Sequence, residues 1–210
     1  TSLKPVNELW LFPPRFFVRR PTIENYTALS GLLSDQFIPL GRYLFNSLSI
    51  SALTTAVYIL ISAMAAFGLC KSRFRFCGPL FMIVQFALLF NPYTLAVQQY
   101  LILARLHVID TYWAYILPQL SATLGVFLLK QYMEGALPDA LLEAARIDGA
   151  GLFRVFFQIA LPLVKPALLT LMLFCFRDSW AMVPQGTIFR EQLKTLPMVM
   201  SQIAAGGIAR

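Results

Sequence analysis

Three long stretches of this chain carry no charge. Arg42 and Lys71 are separated by 28 uncharged residues, Arg75 and Arg105 by 29, and Asp110 and Lys130 by 19. A fourth stretch, Val155–Phe176, holds a single charge, Lys165, in 22 residues. A helix crossing about 30 Å of hydrocarbon needs roughly 20 apolar residues, so spans are expected near 44–69, 79–103, 112–129 and 160–180. They must be helical, because lipid offers no partner to backbone N–H and C=O groups. The short alternating segments of a membrane β-barrel are missing. The expected fold is all-α, a polytopic transmembrane helical bundle.

Composition supports this and argues against other classes. Only 13% of the residues are charged and 58% are hydrophobic, where a soluble domain carries about 25% and 45–50%. A soluble enzyme, a disordered tail and a secreted disulfide scaffold all fit poorly. The net charge of +7 comes from 17 Lys and Arg spread along the chain without a basic stripe, so no nucleic-acid partner is expected. Cys70, Cys77 and Cys175 lack the paired spacing of zinc or redox motifs and read as apolar packing residues. His107, the single histidine, has no ligand pattern around it, so no metal site is expected.

Residues 1–42 differ from the rest. Four prolines in the first 21 residues, five basic residues and the run Trp10-Leu11-Phe12-Pro13-Pro14 read as an external loop against the membrane surface. A short amphipathic helix from Thr22 to about Leu33 follows, with Thr22 as its N-cap; a plain linker is the alternative. Residues 43–210 form the transmembrane domain. The chain starts at Thr1 without Met and stops at Arg210 while the apolar stretch Leu196–Ile208 is building, which suggests that it continues at both ends. Three basic residues within Lys71–Arg75 place that loop in the cytoplasm. Alternation then puts 104–111 and 181–195 outside and 130–155 inside.

Charge returns between Lys130 and Pro166, with four acids and four bases. Pro138 suits a first helical position and Gly149 the position past a helix end, so a helix of about eleven residues is expected between them. Asp139 in its first turn and Arg146 in its last match the helix dipole, and Glu143 can pair with Arg146. Leu141, Leu142, Ala145 and Ile147 suggest an apolar face. Too short and too charged to span, this helix must lie at the cytoplasmic surface. Ala144-Ala145 and Gly149-Ala150 leave a knob of small residues that another protein could approach closely. Leu152, Val155, Phe156 and Ile159 share the spacing of a second helix face, and Pro162 and Pro166 predict a kink where the chain re-enters the membrane.

The string Glu143-Ala144-Ala145-Arg146-Ile147-Asp148-Gly149-Ala150, followed by Phe156, Ile159, Leu161-Pro162-Leu163 and Pro166, resembles the EAA loop of binding-protein-dependent ABC importer permeases. Asn46-Ser47-Leu48, Ala65-Ala66-Phe67, Thr111-Tyr112, Ile116-Leu117-Pro118 and Phe127-Leu128-Leu129 resemble its carbohydrate, maltose-permease-like branch. The similarity covers about residues 8–200. It implies a type I importer permease that moves a sugar or oligosaccharide, delivered by an extracytoplasmic binding protein, across a prokaryotic plasma membrane. It implies a second permease subunit, as a heterodimer, and two ATPase subunits that hold ATP and Mg²⁺; this chain binds no cofactor itself. Such permeases have six or so spans, and the first and last would lie before Thr1 and after Arg210.

By the same resemblance, residues 130–166 form the cytoplasmic coupling loop. Glu143 and Asp148 would be polar contacts or helix-end stabilisers at the ATPase, with Arg146 and Ala150 in the same string. Ala144 and Ala145 would be the packed knob and Gly149 the turn that reverses the loop. The chain departs from the family where relatives place Trp-Asn in the span after this loop. Here the pair is Trp180-Ala181, preceded by Arg177-Asp178. His107 stands where relatives often have Gly.

Candidates for a translocation path are Asn91, Gln98, Gln99 and Tyr100 in the second span, with Gln85, and Trp180 as a sugar-stacking surface. Interhelical hydrogen bonding and an interfacial aromatic belt are the plainer readings. Arg177 and Asp178 are expected at the external membrane edge, touching headgroups or the binding protein; a place on the solute path is the sharper alternative. No GxxxxGK[ST], GxSxG or HExxH motif is present, so no catalytic residue is expected. A secondary transporter fits poorly, since no acid occurs in the first three spans. A non-transporting scaffold stands as the other alternative.

Overall fold

The computed structural model describes residues 21–24, 27, 31, 39–71, 76–90, 92–121, 123–184 and 186–205. The external loop expected before Pro21 lies outside these residues. So does most of the helix expected from Thr22 to Leu33, although the Thr27 N–H donates to the Ile23 carbonyl at 3.1 Å. Among the described residues every regular element is helical.

Helix α1 (Leu40–Lys71) runs unbroken for 32 residues. It contains no proline and carries glycine only near its ends, at Gly41 and Gly68. Among the described residues it alone is long and apolar enough to cross a bilayer as a single helix. The second expected span is divided instead, into α2 (Cys77–Ala87), a 3₁₀ turn (Pro92–Leu95) and α3 (Ala96–Arg105). Pro92 accounts for the break, since it has no N–H to donate and disfavours helical backbone at the residue before it. The third is divided into α4 (Trp113–Gln119) and α5 (Thr123–Ala136). There the Ser121 hydroxyl donates to the Pro118 carbonyl at 3.1 Å, taking an acceptor that the helical ladder would use.

Helix α6 (Asp139–Ile147) follows, then α7 (Leu152–Leu163), which contains a widened π turn at Phe156–Ala160. Helix α8 (Lys165–Ala181) is bent from α7 by 79°. The bend falls between Pro162 and Pro166, where the sequence predicts it; Pro166 removes the N–H that would bond back across the corner. A 3₁₀ turn (Glu191–Leu193) leads to α9 (Leu196–Ala204).

Helix α1 is the central post. Its buried small polar side chains, Ser51, Thr54, Thr55 and Ser62, let α5 and α8 approach closely. At Gly125 of α5 an added Cβ would lie 2.4 Å from Ser62 Oγ, and the Gly125 N–H donates to the Tyr58 hydroxyl at 3.1 Å. Helix α5 runs in the direction of α1, with Gly125 beside Tyr58 and Met133 in the cluster around Ala66. Helix α8 runs the opposite way, from Val164 in that same cluster to Cys175, which lies beside Thr55.

Candidate coupling site and translocation face

Around the Lys71 end of α1 the packing is apolar. Leu137, Leu142 and Ala145 join Ala66, Leu129, Met133, Val155 and Phe156 in one buried cluster. The Phe156 ring lies 5.4 Å from Phe67 of α1 and 4.9 Å from Phe157. Nearby, Lys130 Nζ sits 3.9 Å over the Phe81 ring and 2.6 Å from the Glu134 carboxylate, while Phe81 stacks on Phe127 at 5.9 Å. Leu142 and Ala145 thus tie α6 into the apolar cluster to which α1, α5 and α7 also contribute.

Only one side of α6 is held. Leu142 and Ala145 face the core, while Leu141, Glu143, Ala144 and Ile147 are exposed, Ile147 at 85%. This corrects the apolar face and the alanine knob expected from the sequence. Ala145 packs inward and Ala144 alone is presented outward; Leu141 and Ile147 belong to the outer surface, with Leu152 and Phe153 beyond them. A short helix with apolar residues on both sides does not reveal which side its own core will take. The helix spans nine residues rather than eleven. It ends as the Asp148 N–H donates to the Ala144 carbonyl at 3.0 Å and the Ala150 N–H to the Ala145 carbonyl at 2.9 Å. Gly149 has φ +74°, the left-handed geometry expected of the reversing residue. Asp148 is exposed and Ala150 half-buried against the core; the Arg146 side chain lies outside the described residues.

The opposite end of α1 is polar. Asn46 Nδ2 donates to the carbonyls of Gln192 at 2.9 Å and Lys194 at 3.1 Å, while Asn46 Oδ1 accepts from the Tyr112 hydroxyl at 3.2 Å. Ser47 Oγ accepts the Leu196 N–H at 2.8 Å, and the Tyr115 hydroxyl donates to the Leu193 carbonyl at 3.2 Å. The buried Lys194 ammonium is paired with Glu191 and donates to Gln202 Oε1 at 2.9 Å. Asp110 donates its N–H to the Thr187 carbonyl at 2.8 Å, and its Oδ1 accepts the N–H groups of Phe189 at 3.0 Å and Arg190 at 2.9 Å. Its Oδ2 lies 2.9 Å from Arg190 Nε. The Arg190 N–H, with help from the Phe189 N–H and the guanidinium, holds this carboxyl below the usual carboxylate value, against a smaller opposing effect of desolvation. His107 and Asp110 both take positive φ, 56° and 60°, which explains why glycine suits the place where His107 stands. Loops 104–111 and 181–195, assigned to one side from the sequence, thus meet at one end.

The family model described as "Binding-protein-dependent transport system inner membrane component" matches residues 40–189. The chain belongs to that family. It is 30% identical over 206 residues to the arabinooligosaccharides transport system permease protein AraQ of Bacillus subtilis (strain 168), covering 96% of this chain and 72% of that protein. It is 32% identical over 202 residues to the sulfoquinovosyl glycerol transport system permease protein SmoH of Agrobacterium fabrum, covering 94% and 69%. A crystal structure of a bacterial ABC transporter involved in import of the acidic polysaccharide alginate shares the fold. Its matching chain superposes with TM-score 0.71 at 21% identity, covering 97% of this chain and 70% of that one. The chain is thus a membrane permease component of an ABC importer, not an enzyme.

Within this transport component the expected path residues are dispersed. Gln98, Gln99 and Tyr100 lie on α3, with Gln98 and Tyr100 exposed and Gln99 half-buried; Gln85 is exposed on α2. Asn91 lies outside the described residues. Trp180 is half-buried and stacks on Phe176 at 6.1 Å, so one ring face is already taken.

Arg177 and Asp178, expected at the external edge, lie closer to the middle of the uncharged stretch of α1 than to its Arg42 end. The uncharged stretch of α1 is centred between Ala56 and Val57, and Thr55, which faces Cys175, is about 2 Å from that centre at 1.5 Å rise per residue. Two and three residues further along α8, the pair lies within about 7 Å of mid-depth. The hydrocarbon half-thickness is about 15 Å. The end of an apolar run is a poor gauge of depth here, because packing against α1 sets it.

Proposed function

We propose that this chain is one permease half of an importer for a sugar or oligosaccharide, residing in a prokaryotic plasma membrane and fed by an extracytoplasmic binding protein. It pairs with a second, non-identical permease. Two ATPase subunits bind ATP and Mg²⁺ and supply the energy; the solute crosses chemically unchanged. The one-sided packing of α6 carries the reading. On its inner side Leu142 and Ala145 join the buried cluster that holds Leu137, Phe156 and residues of α1 and α5, while Ala144, Ile147, Leu152 and Phe153 remain outward. A force on the outer side passes into that shared cluster, which transmits displacement because protein interiors compress little.

In this reading Glu143 and Asp148 make polar contacts with the ATPase groove at the two ends of the exposed Ala144. Gly149 lets the chain reverse so that α7 returns against α1. The saccharide assignment draws on the solutes for which the relatives are named, arabinooligosaccharides and sulfoquinovosyl glycerol.

Cysteine cross-linking tests the coupling. In the assembled transporter with native cysteines replaced, Ala144→Cys should cross-link to single cysteines along the ATPase groove, with a yield that changes on adding ATP. Ala145→Cys, facing inward, should cross-link at least tenfold less. Equal yields at both positions, or none at either in an intact complex, would refute the assignment of α6 as the coupling element.

A further inference from the structure

Among the described residues Arg177 and Asp178 lie beside the middle of the uncharged stretch of α1, and both point away from the subunit's own core. Their side chains are 76% and 60% exposed. Arg177 Nε and Nη2 both donate to Asp178 Oδ1, at 3.0 and 2.8 Å. A charged pair at this depth does not face lipid; such residues turn to a water-filled cavity or a protein interior. The backbone beside them has the same requirement. Helix α8 stops at Ala181, three residues beyond Asp178, and leaves its last carbonyls without helical partners. The chain continues without regular structure through Met182–Pro184, and Ala181 and Gly186 are exposed. Irregular backbone at membrane depth is stable only where protein buries it or water reaches it.

We propose that Arg177 and Asp178 line the aqueous cavity of the translocation path and bind the hydroxyl groups of a neutral saccharide as it passes; the solute class rests on the saccharide reading above. The pair has no net charge, so it gives an anionic solute no attraction. Two guanidinium N–H donors are used within the pair, which leaves three N–H groups directed outward. Asp178 Oδ2 remains as an acceptor beside them. Donors and an acceptor side by side match a vicinal diol, each hydroxyl of which both donates and accepts.

The test uses the assembled transporter in proteoliposomes, native cysteines replaced, with cysteine placed singly at 177, at 178 and, as a surface control on α1, at Leu53. The reagent is a permanently charged methanethiosulfonate. Labelling at 177 and 178 should be at least tenfold faster than at 53, and should slow severalfold when neutral oligosaccharides (arabinan-, xylan- and maltose-type trimers) and the binding protein are added. A trigalacturonate should give no such protection. Arg177→Gln and Asp178→Asn should each lower saccharide uptake about tenfold while the solubilised complex still elutes with all its subunits on size-exclusion chromatography, showing that it assembles. Labelling as slow as at 53, or no protection by a trimer that stimulates the parent's ATPase, would overturn the proposal. A parent complex whose ATPase responds to no saccharide would instead overturn the saccharide reading and the solute named here. The labelling rates would then decide separately whether the pair faces water.

Discussion

The two ends of α1 are held in different ways. At the Lys71 end, contact is made by apolar side chains and ring faces, chiefly Phe67, Leu129, Met133, Leu142 and Phe156. At the Arg42 end, Asn46, Ser47, Asp110 and Tyr115 reach particular backbone groups of 187–196, and the Tyr112 hydroxyl donates to Asn46 Oδ1. Apolar packing is non-directional and tolerates substitution at constant volume. Hydrogen bonds to fixed carbonyls have one geometry and lose their value steeply outside it. The coupling end can therefore shift as a packed unit, while the other end keeps loop 182–195 in a single arrangement.

The largest effect should come from emptying the apolar end. Phe156→Ala removes a ring in contact with both Phe67 and Phe157 and should cost about 3–5 kcal/mol, read as a lower melting temperature of the solubilised complex. Phe156→Leu, which keeps most of the volume, should cost under about 1.5 kcal/mol. If both substitutions destabilise alike, the packing there is directional and the contrast between the ends fails.

Asn46 gives the converse test. Asn46→Asp keeps the shape and removes the donor, setting a carboxylate against the carbonyls of Gln192 and Lys194. It should destabilise by about 1–3 kcal/mol, nearly as much as Asn46→Ala. Proteolysis of loop 182–195 should rise in both variants. A harmless Asn46→Asp would mean that this end is held by apolar burial around Ile50, Tyr115 and Ile188 instead.

A smaller effect is expected at Gly149. There is open space for a Cβ, so the cost of Gly149→Ala is backbone strain at φ +74° alone, about 1 kcal/mol. The complex should assemble, with uptake falling more than ATP hydrolysis because the reversal between α6 and α7 is displaced. Equal losses of both would point to a folding defect rather than to coupling.

The sequence reveals the elements that depend on local pattern. Charge-free windows locate the apolar helices, Pro162 and Pro166 locate the bend, and Gly149 locates the reversal. The Glu143–Ala150 string is legible as a likeness to the EAA loop of importer permeases. Pro92 and Pro118 are local signals for the two breaks, yet the length and hydropathy of the windows around them favour continuous spans. Other features depend on which distant surface meets which. The inward turn of Ala145 goes with a cluster that includes Ala66, Leu129 and Met133, and the position of Arg177 with Cys175 beside Thr55. Asn46 reaches carbonyls about 146 residues away. Nothing near these residues in the chain encodes those partners.

Asp110 should give the smallest effect, and its sign separates it from the apolar end. Its carboxyl is held below the ordinary value mainly by the Arg190 N–H, with the Phe189 N–H and guanidinium adding to it. A group whose folded pKa is depressed contributes stability fully above its unfolded value, about 3.9, and loses it as pH falls through the lower folded value. Arg190 is 73% exposed, so the contribution at neutral pH should be under about 1 kcal/mol. Wild type should therefore melt slightly above Asp110→Asn at pH 7, and the gap should close as the pH falls below 4. Taking the difference between the two proteins removes the titration of every other acid. Phe156→Leu should show no such convergence with wild type, because nothing it touches in the apolar cluster titrates. A gap for Asp110→Asn that stays constant with pH would show that Asp110 acts through its positive-φ backbone and not its charge, and the polar end would then depend on chain geometry more than on charged hydrogen bonds.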